Sequence, residues 1–246
     1  MIIYGINPVL EALKAGRVVR VKVGPRHDGR LQQVLTLAAS RHVPVDRVDS
    51  TALDRASRHG VHQGIVAELA PPRDISVEDL VRGIEGPPLL VVLDGIEDPR
   101  NVGAIVRTVD AAGAHGVIRQ TRRAAALDAV AAKASAGAVA HVPIVDVVNI
   151  ARAIDELKAL NVWTVGLAAD AKQSYDAIDF TQPTAVVLGA EGSGLRRLVR
   201  ESCDFTASIP MSSRVESLNV SVAAGVVLFE AARQRRANTT GDRGTR

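Results

Sequence analysis

Apolar and polar positions alternate along this chain in two periods. In residues 1–70, short helical patterns at 7–15 and 31–41 are interleaved with strand patterns at 18–23, 45–48 and 64–69, which predicts a compact α/β module. From residue 89 onward the strand patterns are 89–93, 116–118, 138–145, 162–167, 184–188 and 206–209. The helical ones are 102–112, 150–160 and 218–234. Such alternation predicts a mainly parallel sheet covered by helices on both faces, and periodicity by itself stops at an ordinary doubly wound fold. Pro71-Pro72 and the GPP at 86–88 bracket an acidic stretch with a short helical pattern at 75–84. The expected organisation is therefore a first domain at 1–70, a linker at 71–88 and a second domain at 89–234. The tail at 235–246, rich in Arg, Gly, Thr and Asn, is expected to be disordered.

Composition narrows the class. A length of 246 residues exceeds the ~100–150 of a typical single domain, so there is enough chain for two cores. Its longest apolar stretches fall well short of the ~20 residues of a membrane-spanning helix, and no charged segment followed by an apolar run opens the chain. A soluble cytoplasmic protein is expected, without membrane contact. Cys203 is the only cysteine, which excludes an intrachain disulfide and any metal-binding cysteine pair, and the six histidines are scattered. No metal is expected.

The net charge of +3 is modest, but its distribution is uneven. Lys and Arg stand to Asp and Glu as 10 to 6 in residues 1–70 and 5 to 1 in 233–246, against 2 to 4 in 71–88 and 13 to 16 in 89–232. A mildly acidic body with basic ends suits a catalytic unit whose appendages attract a polyanion, although a solvated surface has the same charges. Aromatic residues make up 2% of the chain, which leaves few platforms for stacking bases and points to recognition by phosphate and shape. Trp163, inside the strand pattern NVWTVG, is expected in the core.

Three polar loops follow apolar strand patterns. The first, DGIEDPRNVGAIVRTVDAAG at 94–113, opens a helix at Pro99 and Asn101. The second, LGAEGSGL at 188–195, spaces its glycines in a way that fits neither the dinucleotide fingerprint nor the phosphate loop. The third, IPMSSRVESLNVSVAAGVVLFE at 209–230, runs from a polar loop with Ser217 and Asn219 at its mouth into a long apolar helix. Taken singly, each has a plain reading. The glycine loop makes a strand-to-helix turn, Asn101 and Ser217 are helix caps, Asn219 is a first-turn polar residue, Glu191 is a solvated charge, and Arg107 pairs with a carboxylate such as Asp110.

Together and in this order, DxxxDPxNxGxxxRT, LGAEGxGL and IPM followed by SLNVSxA resemble the SpoU/TrmH family of RNA ribose 2'-O-methyltransferases, part of the knotted SPOUT superfamily. The opening IYGINPVLEAL at 3–13 and VHQGIV at 61–66 are similar to that family's small N-terminal L30e-like RNA-binding domain, as found in the 23S rRNA guanosine-2'-O-methyltransferases. The resemblance spans roughly residues 2–236. It implies an α/β fold with a parallel sheet and a C-terminal deep trefoil knot, a homodimer, and S-adenosylmethionine as methyl donor.

Carried onto this sequence, the resemblance assigns the cofactor to Gly189, Gly192, Ile209, Leu218 and Asn219. It makes Arg107 the catalytic arginine, with Asn101 and Glu191 orienting it and the target nucleotide, and Ser217 and Asn219 completing the wall of the site. Methyl transfer to a ribose needs in-line alignment of the 2'-oxygen and help with its proton. Arg107, six residues after Asn101, is expected on or near the same helix face. A guanidinium is essentially never deprotonated in proteins, so holding phosphate and 2'-hydroxyl is its simpler role. KASAGA at 133–138 is expected to allow close backbone packing or an approach to RNA, and Arg119, Arg122 and Arg123 to reach phosphates or solvent. Ser213 and Asp128 depart from the family pattern. A guanosine of 23S rRNA in the peptidyl-transferase region is the implied target. A tRNA ribose methyltransferase, a resistance-type rRNA adenosine methyltransferase and a non-catalytic ribosome-assembly factor remain as alternatives.

Overall fold

The computed structural model describes residues 1–25, 29–71, 74–122, 124–125, 127, 129–212 and 217–241. Ser213, Asp128 and Arg123 lie outside the described residues.

The N-terminal part comprises β1 (Ile2–Tyr4), α1 (Ile6–Lys14), β2 (Val18–Val23), α2 (Gly29–Ser40), β3 (Val45–Arg47), α3 (Ser50–Ala56) and β4 (Ile65–Leu69). Its sheet is ordered β1-β4-β2-β3, with β4 antiparallel to both neighbours and β2 parallel to β3. Helix α1 buries Ile6, Val9, Ala12 and Leu13, spaced three and four residues apart as one helical face requires. Its first N–H, on Ile6, donates to Gln63 Oε1 (3.0 Å). The three-residue β1 is too short to show a period of its own, which is why pattern reading passes over it.

Helix α4 (Val77–Arg82) begins with a capping box: Ser76 Oγ accepts from Asp79 N, and the Asp79 carboxylate accepts from Ser76 N. The stretch expected as a linker is not a loose tether. Val77 and Leu80 are buried in one cluster with Leu90, Val92 and Ile118 of the second sheet.

That sheet contains β5 (Leu89–Asp94), β6 (Gly116–Gln120), β7 (Ile144–Val147), β8 (Trp163–Leu167), β9 (Gln173–Ser174), β10 (Thr184–Gly189) and β11 (Phe205–Ser208). The helices are α5 (Pro99–Ala112), α6 (Ala129–Ala134), α7 (Ile150–Ala159), α8 (Arg197–Ser202) and α9 (Val220–Gly241). All pairings are parallel, in the order β7-β6-β5-β10-β8-β11-β9. Strand β5 is apolar from Leu89 to Leu93 because both its faces are covered. Val91 and Leu93 join the cluster of α5 and α9, while Leu90 and Val92 join that of α7. From β5 the chain proceeds outward through β6 and β7, then returns to place β10 on the other side of β5. This reversal puts the ends of β5 and β10 at a topological switch point, where open α/β sheets form their ligand crevices.

Several expectations are corrected. The strand expected at 138–145 is a 3₁₀ turn (Ala138–Ala140) followed by β7, because Gly137 at φ 96° turns the chain and Pro143 has no N–H to give a ladder. Trp163 is half exposed, not core: as the first residue of β8 it lies at the sheet's end, tilted against the exposed ring of Phe205 with centroids 5.6 Å apart. The tail does not start at 235. Helix α9 continues to Gly241, and the Arg235 guanidinium donates to the carbonyls of Pro87, Pro88, Phe180 and Gln182. Four carbonyl acceptors offset the cost of half-burying this cation, a gain that composition does not reveal. Arg119 turns inward to Asp146 (2.7 Å) and is therefore not offered to phosphate, whereas Arg122 is exposed.

The small residues at 133–138 serve close packing. A Cβ on Gly103 of α5 would lie 2.5 Å from the Ala131 carbonyl oxygen and 2.6 Å from Ala134 Cβ, so α6 sits directly on α5 there. No described helix is long and apolar enough to cross a membrane.

Candidate active site at the ends of the central strands

The three motif loops meet at the carboxyl ends of β5, β10 and β11. Helix α5 starts where Asp98 Oδ1 accepts from Arg100 N (2.8 Å) and Pro99 occupies the first turn, so Asp98, not Asn101, is its cap. Asn101 is thereby free for another role. Buried inside the first turn, it donates from Nδ2 to Glu191 Oε1 (2.8 Å). Asn219 Nδ2 donates to the same Glu191 oxygen (2.6 Å) and to Asn101 Oδ1 (3.2 Å). Its own Oδ1 accepts from Ser221 N (2.9 Å), which caps α9. One amide thus anchors the last helix and joins the second and third motifs to the first.

The loop after β10 folds back on itself. Ala190 and Gly194 exchange two backbone hydrogen bonds (3.1 and 2.9 Å), with Gly192 and Gly194 at φ 78° and 66°. A Cβ on Gly189 would come within 2.2 Å of the Gly194 carbonyl carbon. Glycine is required here by the loop's own backbone, before any ligand is considered.

Between this loop and the segment from β11 to α9 lies a cleft of about 380 Å³. It is lined by Leu167, Leu188, Ile209, Met211, Leu218 and Val220 on its apolar side, and by Glu191, Ser217 and the backbone of 189–195 on its polar side. Gly189, Glu191, Gly192, Ile209, Ser217 and Leu218 therefore share one cavity, and Asn101 and Asn219 brace Glu191 at its edge. Apolar walls for a flat heterocycle, backbone groups at a glycine turn and a carboxylate for a cation fit the adenine and sulfonium of S-adenosylmethionine, in a volume within the ~300–1,000 Å³ range of ligand pockets.

Arg107 is not brought into this network. It is exposed on α5, while Asn101 is buried, because six residues turn a helix about 120° short of two full rotations. Nor does it pair with Asp110, whose Oδ1 faces His141 Nε2 at 3.0 Å. Its guanidinium has no hydrogen-bond partner among the described residues.

Sequence reading missed the clamp behind the glycine loop. Asp94, 1% exposed at the end of β5, accepts from Arg196 N (2.9 Å) and Arg196 Nε (2.6 Å), and Arg196 Nη2 also donates to Gln120 Oε1 (2.6 Å). The available signal was a carboxylate closing an otherwise apolar buried strand. Arg196→Ala is expected to cost about 3–5 kcal/mol by stranding this buried charge. Asp94→Ala should cost only about 1–3 kcal/mol, since the half-exposed guanidinium can turn to water. Urea denaturation of both variants gives the order. Cys203, just beyond α8, has its thiol pushed up to about 12 by burial and is no nucleophile at neutral pH.

The sequence profile described as the SpoU rRNA Methylase family matches residues 88–229. The chain belongs to this family. A second profile, RNA 2'-O ribose methyltransferase substrate binding, matches residues 2–75. Among curated relatives of this SpoU member, the 23S rRNA (guanosine-2'-O-)-methyltransferase RlmB of Pseudomonas putida is 45% identical over 240 residues, covering 95% of this chain and 96% of that one. A tRNA/rRNA methyltransferase of Mycolicibacterium vanbaalenii, described as uncharacterized, is 46% identical over 96% of this chain and 77% of its own length. Among solved structures, the SpoU methyltransferase AviRb from Streptomyces viridochromogenes in complex with AdoMet aligns with a TM-score of 0.83 at 28% identity, covering 96% of this chain and 91% of that one.

Proposed function

We propose that this protein methylates a ribose 2'-hydroxyl of RNA with S-adenosylmethionine, and that its target is a guanosine of 23S rRNA in the peptidyl-transferase region. The carrying observation is the Asn101–Glu191–Asn219 network, which ties the first motif to the edge of a cleft walled by the second and third. The 45% identity with the Pseudomonas putida enzyme across nearly both whole chains favours the guanosine substrate.

In this reading the cofactor, held by Gly189, Gly192, Ile209, Leu218 and Asn219, supplies an electrophilic methyl group. Glu191, fixed by two amide donors, presents its carboxylate to the cleft without freedom to swing away. Ser217 adds a hydroxyl donor and acceptor to the same wall. Arg107 holds the target's phosphate and 2'-hydroxyl, aligning the oxygen for attack.

Arg107 faces away from the network of its own chain, which supports a homodimer in which the partner completes each site. The exposed stripe of Val222 and Phe229 on α9, with Val226 half-buried between them, is the proposed interface. We further read the C-terminal part of the second domain as a deep trefoil knot, residues 1–70 as an L30e-like RNA-binding domain, 71–88 as its connection to the methyltransferase domain at 89–234, and the cytoplasm, with its ribosomes, as the working place.

Transfer of labelled methyl to unmodified 23S rRNA transcript and, separately, to bulk tRNA tests the function. Alkali resistance at one 23S guanosine is expected. Label confined to tRNA overturns the substrate, and no label with cofactor and RNA both bound makes the protein a binding factor.

A further inference from the structure

A second cavity, of about 500 Å³, opens in the N-terminal part, lined by Gly24, Pro25, Ser50, Leu53, Asp54 and the 60–64 loop. No motif of the methyl-transfer site lies in it. The loop that builds one wall is held in an uncommon path: Arg58, His59 and Gln63 have φ of 52°, 60° and 53°, all in the left-handed region that non-glycine residues seldom adopt. The loop is fastened at three points. Gly60 lies flat against Tyr4, where a Cβ would fall 2.3 Å from the ring, Gln63 Oε1 accepts from Ile6 N, and Gly64 N donates to His62 Nδ1 (3.0 Å). With Nδ1 accepting, His62 carries its proton on Nε2 and donates it to Asp54 Oδ1 (3.1 Å). The VHQG motif at 61–64 thus positions one carboxylate at the cavity wall, with Asp54 Oδ1 engaged and Oδ2 without a hydrogen-bond partner among the described residues.

An acidic group in a domain whose balance is basic is poorly placed to meet phosphate, yet Arg55 and Arg58, one and four residues further along the chain, are both exposed. A carboxylate accepts hydrogen bonds only, so among nucleobases it favours an edge with a ring N–H, which guanine has at N1 and uracil at N3. Adenine N6 and cytosine N4 also carry amine donors, but the ring nitrogen beside each is a lone-pair acceptor that the carboxylate repels. We propose that this cavity receives one unpaired guanine or uracil of the substrate RNA, its ring N–H donated to Asp54 and its flanking phosphates met by Arg55 and Arg58. The proposal rests on the reading that the substrate is RNA and adds a base-reading subsite apart from the nucleotide that is methylated.

The test uses the full chain and fluorescently labelled pentanucleotides of uridine, N3-methyluridine and adenosine, with affinities measured by anisotropy. The uridine probe is expected to bind about tenfold more tightly than either of the others. Asp54→Asn, and Ser50→Trp, which fills the cavity from the exposed first residue of α3, should each abolish that preference while S-adenosylmethionine affinity and the melting temperature hold. Equal affinity of the wild type for all three probes overturns the proposal, as does a preference that survives in both variants. Absence of methyl transfer to any RNA by a protein that still prefers the uridine probe strikes the catalytic reading and leaves this subsite standing.

Discussion

Arg107→Ala is expected to lower the rate of methyl transfer to 23S rRNA at least about a hundredfold, the scale on which misplacing a reacting group costs rate, while the melting temperature stays within about 1 °C. The two halves of this expectation have separate causes. Arg107 is exposed and makes no hydrogen bond or ion pair with any described residue, so the fold loses little when it is truncated. Its proposed work is done only when RNA is present. Single-turnover measurements at saturating cofactor and RNA separate the chemical step from binding. Arg107→Lys should recover only part of the rate, because an ammonium restores the charge but not the planar fork that grips phosphate and hydroxyl together. A rate unchanged in Arg107→Ala, with RNA still bound, removes Arg107 from the mechanism. Mixing Arg107→Ala chains with chains carrying Glu191→Gln then tests completion across a dimer: recovery of activity in the mixture requires that the two residues of one working site come from different chains.

Much of the catalytic half was legible because its signals are local. The buried parallel strands declare themselves as apolar runs of five or six residues, and 89–93 and 184–188 lie within one residue of β5 and β10. The cleft was legible through motifs, whose residues at 189–192, 209 and 217–218 line it. What stayed hidden depends on partners distant in sequence. The helical pattern at 218–234 ends where charged residues begin, but Arg235 finds carbonyls from 87–88 and 180–182, so α9 continues. Asp94 and Arg196 are 102 residues apart and carry no shared pattern. Trp163 illustrates the reverse error: an aromatic residue in a strand pattern reads as core, yet strand ends reach the surface. The placement of Arg107 and Asn101 on one face failed on helical geometry alone, and a count of about 100° per residue would have separated them.

Gly189→Ala should nearly abolish cofactor binding, a loss of at least a hundredfold in affinity by isothermal titration calorimetry, accompanied by destabilisation of about 1–3 kcal/mol in urea. The new Cβ would stand 2.2 Å from the Gly194 carbonyl carbon and 2.3 Å from Leu195 N. Both are backbone atoms in a turn closed by the Ala190–Gly194 hydrogen bonds and tied by Arg196 to the buried carboxylate of Asp94, so neither can rotate aside as a flexible side chain would. The loop must open, and with it the polar wall of the cleft and the setting of Glu191. Gly192→Ala is the matched comparison. Its Cβ meets nothing within 4 Å, so the substitution costs only the strain of a left-handed alanine, about 1 kcal/mol, and should weaken the cofactor far less. If the two variants bind S-adenosylmethionine equally well, the folded-back turn is not the conformation that holds the cofactor. A large gap between them makes the backbone packing under Gly189, and not flexibility of a glycine-rich loop, the property the second motif preserves.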